Sequence, residues 1–523
     1  MLAFAFNSKS LRTPDLRTGL GRVAAILVLV AAPLAHGDSS QTKLNAVQLF
    51  TRCYSHMTST PPAPNEPLLL QVKAGSLSAM NACMKLFDEA TLQSSGSNVG
   101  MLVNDTPEGR AVFQTFTHFN RTWFPSDDMN ASTPDGFETT YRNAQLYDET
   151  EAAYHIDRAL FTPGVNYSEI VTGTSPMEAI RTNGPSDYET TVADTLRFKT
   201  ATSQNFQGGQ NASFADLNAQ LVQWGMPIGV RPMSANPTKM NQMVTDTAGI
   251  EIEAASGQSY GPYVDTVAPQ ALNASLGGGI MGTQSYLLLN FGRATNTPSD
   301  GGLNMPRRWA KNVFHDLLCR NIPVMRLSDA ASLVQTVTTA YTPPFRLASS
   351  CMQCHGTMDN MAKVVRNVSY LRSPVVLGTA DQTFVSMYVW PTTLSAETNP
   401  VDLDPTFFER PTNGTLMYRS YDGTLVTDNL TSIADLGAAF ASSNDLYACA
   451  AAQYYQFFTG DGVNLQDIGD PNNPPLSQDE LTYRQDVIQL GQTLKSTQSL
   501  RSLIQAIISL PIYQTRSMRY PGP

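Results

Sequence analysis

The segment Ser350-Cys351-Met352-Gln353-Cys354-His355-Gly356 places two thiols three residues apart, with an imidazole directly after the second. On a helix, side chains three and four positions apart lie on the same face, so these groups would point to one side. Two thiols so placed can add to the two vinyl groups of a haem, and the imidazole can then bind its iron. Cys-x-x-Cys-His is the attachment signature of c-type haem. We therefore expect one covalent haem c, with Cys351 and Cys354 as thioether anchors and His355 as the proximal iron ligand.

Two other chemistries use a pair of cysteines at this spacing. A thioredoxin-like dithiol needs a strand before the motif and a βαβ pattern around it, and residues 341–348 have no strand character. A structural zinc site needs a second Cys or His pair at comparable spacing, and none follows in the sequence. The pattern therefore favours haem over both a redox dithiol and a zinc site.

The N-terminal residues have the pattern of an export signal. A basic region with Lys9, Arg12, Arg17 and Arg22 precedes an apolar stretch at 23–34, and Ala35-His36-Gly37 offers a small-x-small cleavage site. We expect residues 1–37 to be a signal peptide for general secretion, with an uncleaved membrane anchor as the alternative. Covalent haem attachment in bacteria takes place outside the cytoplasm, so the two motifs agree. Both predict a periplasmic or outer-surface location.

Charge and hydropathy exclude two classes of partner. The formal net charge is −10, and an acidic surface of this kind repels nucleic acid. No apolar stretch of about 18 residues occurs after residue 37, so contact with a membrane would be at most peripheral. Only 15% of the residues are charged, which is typical of a secreted protein. The expected haem predicts that its partner is another redox protein.

The apolar periodicity predicts a mainly α, multi-domain helical protein with a c-type haem module and a small β-hairpin element. A chain of 523 residues exceeds what one hydrophobic core usually holds, so several domains are expected. The expected division is a signal peptide at 1–37, an N-terminal helical region at 38–276, a haem-binding cytochrome c-like region at 277–430, and a C-terminal helical region at 431–523.

Individual elements follow from the same patterns. Two N-terminal helices are predicted to begin behind Thr42 and Ser76 as caps. A strand at 382–390 and a hairpin at 416–426 around Asp422-Gly423 supply the β structure. Further helices are predicted at 111–123, 149–160, 214–224, 327–339, 432–441, 445–458, 478–491 and 499–510.

Four cysteines lie outside the motif, and an even number in an exported chain predicts disulfides. Three pairings are possible. Cys53 with Cys83 and Cys319 with Cys449 are favoured, because each pair would join neighbouring helices within one part of the chain. Buried free thiols are the alternative.

A series of short motifs runs through residues 279–510. They are Gly279-Ile280-Met281-Gly282-Thr283, Arg307-Arg308-Trp309, Leu317-Leu318-Cys319, Pro323, the Cys-x-x-Cys-His motif with Met358-Asp359, Tyr421-Asp422-Gly423, Leu446-Tyr447-Ala448-Cys449, Gly460 and the segment 503–510. In this order they resemble the planctomycete-type secreted monohaem c-type cytochromes, a family built of adjacent domains of unknown function. The resemblance implies a mostly helical, single-haem exported protein in which Cys319 and Cys449 belong to the family pattern, and it supplies no substrate. The family usually continues after Met358-Asp359 with a proline and a glycine, where this chain has Asn360-Met361.

The sixth position of the iron decides the chemistry. A thioether ligand there raises the reduction potential and favours electron transfer, whereas an open position admits peroxide or another small ligand. Met387 and Met417 lie downstream at suitable separations, and Met417 follows Gly414 in a segment able to form a loop over the haem. Met417 is the candidate sixth ligand.

Three functions remain open on the sequence alone. The leading hypothesis is an exported monohaem cytochrome that passes single electrons through its haem. The second is a peroxidase-like haem oxidoreductase with an open sixth position. The third is an interaction protein in which the haem is structural.

Overall fold

Helix is the predominant secondary structure among the described residues of the computed structural model, as the apolar periodicity predicts. Contacts divide the chain into Met1–Ser39 and Ser40–Pro523, and all described residues belong to the second unit. The predicted signal peptide and the helix predicted at 214–224 lie outside the described residues. The structure describes residues 42–124, 129–132, 138–141, 150–181, 227–232, 270–271, 275–290, 307–336, 344–377, 380–389, 391–395 and 410–518.

The described α-helices are numbered here in chain order. They are α1 (Ala46–Thr58), α2 (Pro67–Lys73), α3 (Ala79–Asp88), α4 (Pro107–Arg121), α5 (Glu151–Phe161), α6 (Glu169–Thr172), α7 (Gln284–Asn290), α8 (Arg307–Leu318), α9 (Leu327–Ala331), α10 (Ser349–Ala362), α11 (Ile433–Ser442), α12 (Asp445–Thr459), α13 (Gln478–Thr497), α14 (Leu500–Ser509) and α15 (Pro511–Gln514). Short 3-10 turns occupy Gly279–Gly282, Pro344–Leu347 and Lys363–Val365.

The strands form small antiparallel sheets. Strand β6 (Val368–Leu377) pairs with β7 (Ala380–Val389), which confirms the strand predicted at 382–390 and adds its partner. The predicted hairpin is also confirmed, with Asp422-Gly423 between β8 (Gly414–Arg419) and β9 (Leu425–Leu430). The remaining strands are β1 (Met129–Ser132) with β2 (Glu138–Tyr141), β3 (Met177–Arg181) with β4 (Pro227–Pro232), and β5 (Gln270–Ala271), which pairs with β7.

Both predicted N-terminal caps are wrong by a few residues. Helix α1 begins behind Asn45, whose Oδ1 accepts from the Gln48 backbone N–H while the Gln48 side chain accepts from the Asn45 backbone. Two backbone donors are satisfied by this reciprocal pair, which Thr42 does not provide. Helix α3 begins behind Ser78, whose hydroxyl accepts from the Asn81 backbone N–H at 3.2 Å.

The helix predicted at 327–339 is shorter than expected. Helix α9 ends at Ala331, and Ser332 turns its hydroxyl back to donate to the Asp329 carbonyl at 2.7 Å. The chain then bonds to a different element, because the Gln335 backbone N–H donates to the Arg346 carbonyl at 3.0 Å. This bond brings the turn before α10 beside the end of α9.

One apolar core runs through the described residues and draws on all three predicted regions. Phe50 and Phe113 come from the first region, Trp309 and Leu416 from the second and Tyr513 from the third, and each is fully buried. Burial of apolar surface on this scale is the main stabilising contribution to the fold. The predicted boundaries at 276/277 and 430/431 stay predictions.

The first and last described segments lie against each other. The Leu44 backbone N–H donates to the Gln514 carbonyl at 2.8 Å, and Lys43 bridges to Thr515. Arg52 Nη1 donates to the Tyr513 carbonyl at 2.6 Å. These bonds close the helical unit between its two ends.

Both favoured cysteine pairings are confirmed. Cys53 of α1 pairs with Cys83 of α3, with Cα atoms 6.0 Å apart, and Cys319 after α8 pairs with Cys449 of α12, with Cα atoms 5.1 Å apart. The second pair joins the end of α8 to α12. Among the described helices, none combines the length and apolar character needed to cross a bilayer.

Candidate functional site

The Cys-x-x-Cys-His motif lies in the first half of helix α10. A 3-10 turn, Pro344–Leu347, precedes the helix, and Ala348 is extended before the helix begins at Ser349. Cys351 and Cys354 are free and partly exposed. With about 100° of rotation per residue, Cys351, Cys354 and His355 fall on one side of the helix. The two thiols and the imidazole therefore share a face, as the sequence predicts.

His355 is held at its Nδ1 atom and on one face of its ring. Nδ1 lies 3.3 and 3.4 Å from the two carboxylate oxygens of Asp359, one helical turn further along α10. The Phe345 ring stacks on the imidazole with centroids 4.1 Å apart and planes 27° apart. An imidazole that donates its Nδ1 proton to a carboxylate carries its lone pair on Nε2. These contacts fix the ring and leave the Nε2 lone pair available.

Asp359 is buried, with 1 % of its side chain exposed, and ion pairs hold it in place. Arg307 donates from Nε to Oδ1 at 2.6 Å and from Nη2 to Oδ2 at 3.0 Å. Arg346 Nη2 lies 3.5 Å from Oδ2. Burial by itself would raise the pKa of Asp359, but hydrogen bonds from His355 and Arg307 hold that pKa below its usual value. The residue is an anion at neutral pH.

Both arginines also contact the ring that stacks on His355. The Cζ atoms of Arg307 and Arg346 lie 5.5 and 5.6 Å from the Phe345 ring centroid, within the range of cation–π contacts. Arg307 opens helix α8, whereas Phe345 and Arg346 belong to the turn before α10. Two separate elements thus fix the ring and the carboxylate that hold His355.

The opposite side of α10 is packed against apolar residues. Met352 joins Met325 and Ala330 in a small cluster, with Leu333 packed against it. A Cβ at Gly356 would collide with Leu333, so the absence of a side chain there lets α9 and the segment after it approach the helix. This packing fixes the position of α10 and leaves the cysteine face partly exposed.

Met417, the predicted sixth ligand, lies on that packed side. Its carbonyl accepts from the Thr357 hydroxyl at 2.8 Å, and its side chain packs against the cluster of Met325 and Met352. Thr357 lies roughly 120° around the helix from Cys351 and roughly 60° from Cys354, and His355 lies roughly 40° from Cys351. The structure brings Cys351, Cys354 and His355 to one face of α10 and packs the Met417 side chain with Met325 and Met352. Met417 as the sixth ligand stays a prediction. The side chain of Met387, on β7, lies outside the described residues.

The surroundings of the cysteine pair differ from those of a redox dithiol in one respect. Burial, and then the charge of the neighbouring Cys351, raise the pKa of the Cys354 thiol, which does not distinguish the two chemistries. A 3-10 turn directly precedes α10, whereas a thioredoxin-like motif follows a strand.

Within the part of the chain that the structure describes, no group of three or more His, Cys, Asp or Glu side chains is arranged to hold a metal ion. A haem iron does not need such a group, because the porphyrin supplies four ligands and the protein only the axial ones. No protein-family model, curated protein or solved structure matches the chain. The resemblance to secreted cytochromes therefore remains an expectation.

The sequence carries a signal for only one of the residues that contact the imidazole. Asp359 lies four residues after His355, and this spacing on a helix is a signal for a side-chain pair. Phe345 and Arg346 precede the motif closely, but no local pattern indicates that they turn back onto it. Arg307 is 52 residues from Asp359, so only the tertiary structure brings them together.

Proposed function

We propose that this protein is an exported monohaem c-type cytochrome that transfers single electrons. The observation that carries the proposal is the shared face of α10, where two free thiols lie beside an imidazole whose Nδ1 is bonded to a buried carboxylate. A haem bound there supplies one iron that accepts an electron from a reduced redox protein and gives it to an oxidised one. The residues present fit such a group.

The two cysteines would form the covalent attachment. Each thiol adds across one vinyl double bond, so that sulfur bonds to one vinyl carbon and the proton goes to the other, with no net oxidation. The reaction requires reduced thiols, and Cys351 and Cys354 are free and partly exposed. The cysteines outside the motif are paired with each other, which leaves this pair for the haem.

The rigid support of α10 suits electron transfer. Helices α8 and α9 and strand β8 pack against it, and Gln353 Nε2 donates to the Met325 carbonyl at 3.1 Å. Thr357, also on α10, donates its hydroxyl to the Met417 carbonyl of β8. An iron ligand on a helix held from several sides keeps its geometry in both oxidation states. A small rearrangement on gain or loss of an electron favours fast transfer.

The proposed location outside the cytoplasm has support from the disulfides. Two cysteine pairs at disulfide distance are typical of proteins from oxidising compartments. The basic and apolar pattern of residues 1–37 supports export independently. Haem attachment, disulfide formation and export then all belong to one compartment.

A second candidate function is a peroxidase-like haem oxidoreductase. The packing of the Met417 side chain with Met325 and Met352 supports it, because an iron that takes neither this thioether nor another side chain as its sixth ligand is open to peroxide. The two candidates share the same haem attachment and differ only at the distal side.

Expression with the signal peptide in a host that matures c-type cytochromes tests the proposal. We expect intact mass to increase by one haem and the pyridine haemochrome spectrum to show two thioether bonds. Cys354→Ser should reduce these to one bond, and Ser350→Ala, an exposed change on the same turn, should leave both. A wild-type protein without covalent haem under these conditions would overturn the proposal. Binding of carbon monoxide and turnover of peroxide would favour the second candidate over the first.

A further inference from the structure

The contact between His355 and Asp359 joins the proposed iron ligand to a buried charge. Both oxygens of Asp359 lie within 3.4 Å of His355 Nδ1, and the carboxylate is almost fully excluded from water. Metal-bound histidines commonly donate their second ring N–H to a carboxylate or a carbonyl, which fixes the ring and increases its basicity. A carboxylate increases it more than a neutral carbonyl does.

We propose that Asp359 is a positioning residue for the haem iron, acting through His355 to fix the proximal imidazole and to hold the reduction potential low. The inference rests on the proposed function, since it assumes that His355 binds the iron. A more basic imidazole donates more electron density to the metal and stabilises the ferric over the ferrous state. Asp359 would therefore set the direction in which this protein exchanges electrons with a partner.

The arginines make this role possible. Arg307 binds both carboxylate oxygens in a bidentate pair, so the carboxylate cannot rotate away from the imidazole. Arg346 approaches Oδ2 at 3.5 Å and is itself buried. Their positive charges compensate the negative charge of a carboxylate that is excluded from water. They also draw part of the negative charge away from His355. The arginines therefore reduce the effect of the carboxylate on the imidazole while they hold the carboxylate in place.

Phe345 supplies the remaining constraint on the orientation of the His355 ring. Its ring covers one face of the imidazole, while Asp359 fixes the Nδ1 edge. A ring fixed at one edge and one face has a single orientation about its χ2 axis. The direction of Nε2 is then set before a haem is attached.

Asp359→Asn keeps the size of the side chain and removes its charge. A matched control is Asp329→Asn, because Asp329 is also held by a bidentate arginine, Arg419, at 2.7 and 2.9 Å, and lies on the neighbouring helix α9. Both variants break an ion pair of the same kind. Only the first alters the partner of the proposed iron ligand.

Spectroelectrochemical titration of the haem-loaded proteins tests the inference. We expect Asp359→Asn to raise the ferrous-to-ferric ratio at a fixed applied potential by about tenfold, which is about 59 mV for one electron, and Asp329→Asn to change it far less. Equal shifts in the two variants, or no shift in Asp359→Asn, would overturn the inference while leaving covalent haem and the proposed function intact. Absence of haem in the wild type would overturn the proposed function itself.

A measurement on the wild type covers the case in which Asp359→Asn does not accumulate. Nitrogen-15 NMR of the ferrous protein reports the Nδ1 proton of His355. A strongly deshielded, slowly exchanging proton is expected for donation to a buried carboxylate. A fast-exchanging proton would show that Asp359 does not act on the ring and would overturn the inference.

Discussion

Asn120 of helix α4 donates from Nδ2 to Asp157 Oδ1 of helix α5 at 2.7 Å, in a site that is fully buried. The second oxygen of Asp157 lies 2.7 Å from the Thr117 hydroxyl, which is 3.0 Å from the Phe113 carbonyl. Thr117 has only one proton to donate. When Asp157 is protonated, its O–H donates to Thr117 Oγ1, and Thr117 donates to the carbonyl. The network is therefore satisfied best by the neutral acid.

This arrangement predicts a stability that falls as the pH rises through the acid range. Burial raises the pKa of Asp157 to about 7, so the folded protein holds a proton there that the unfolded chain loses near pH 4. Between these values the folded state binds more protons, and its stability falls by up to about 4 kcal/mol from this group. Urea denaturation at several pH values measures the slope.

Asp157→Asn should mimic the protonated acid, because its amide can donate to Thr117 while its oxygen accepts from Asn120. We expect this variant to lose most of the pH slope and to equal or exceed the wild-type stability at pH 7 and above. Asp157→Ala leaves Asn120 without its acceptor and should be less stable at every pH. A slope unchanged in Asp157→Asn would show that another group causes it, Asp445 being the first alternative, since burial raises its pKa to about 6.

Gly279 and Gly164 should respond differently to substitution by alanine. Gly279 has a φ of 56°, and a Cβ there would overlap the Ile170 carbonyl, so backbone of α6 lies directly against it. Gly164 has a φ of 80° with open space around it. Alanine at either position incurs about 1–2 kcal/mol of backbone strain. Gly279→Ala should lose a further 2 kcal/mol or more of unfolding free energy, because a packed backbone must move.

Urea midpoints of the two alanine variants check this prediction. Equal losses would mean that α6 moves aside without cost. The comparison is informative because both positions share the left-handed conformation and differ only in their surroundings.

The two disulfides should differ in their contribution to stability. Cys319–Cys449 closes 130 residues and Cys53–Cys83 closes 30. In the chain-entropy relation, the longer loop predicts about 5 kcal/mol and the shorter about 4 kcal/mol. Replacing each pair by two serines and measuring thermal unfolding should give the larger loss for Cys319→Ser/Cys449→Ser. The reverse order would indicate that residual structure in the unfolded chain outweighs loop length.

Local patterns in the sequence predict the parts of the site that depend on local spacing. The helical period places three side chains of the motif on one face, namely Cys351, Cys354 and His355. The hairpin around Asp422-Gly423 follows from its turn residues. The cap at Asn45 also has a local sequence signal, because Gln48 stands three residues later in a capping-box pattern.

The remaining parts depend on contacts between distant segments. Arg307 reaches Asp359 from another helix, and no local pattern encodes that approach. Met417 is predicted as a ligand from its separation along the chain and from the loop that Gly414 could allow. Its position in the fold instead follows from the pairing of β8 with β9 and from the bond between its carbonyl and Thr357. Separation along the chain does not reveal which side of α10 a strand will cover.

Met417 offers the most direct test of the iron's distal side. Its side chain packs with Met325 and Met352, so it would have to leave that cluster to bind the iron. We therefore expect Met417→Leu, which nearly conserves volume, to retain the ferric spectrum and potential of the wild-type haem protein, with a loss of stability below about 1.5 kcal/mol. Met352→Leu, a change in the same cluster, serves as the control for packing.

Loss of a methionine-to-iron charge-transfer band in Met417→Leu alone would instead establish Met417 as the sixth ligand, and it would require β8 to shift when haem binds. If the spectrum is retained and carbon monoxide binds the ferrous protein, the sixth position is open, and peroxide becomes the substrate to test.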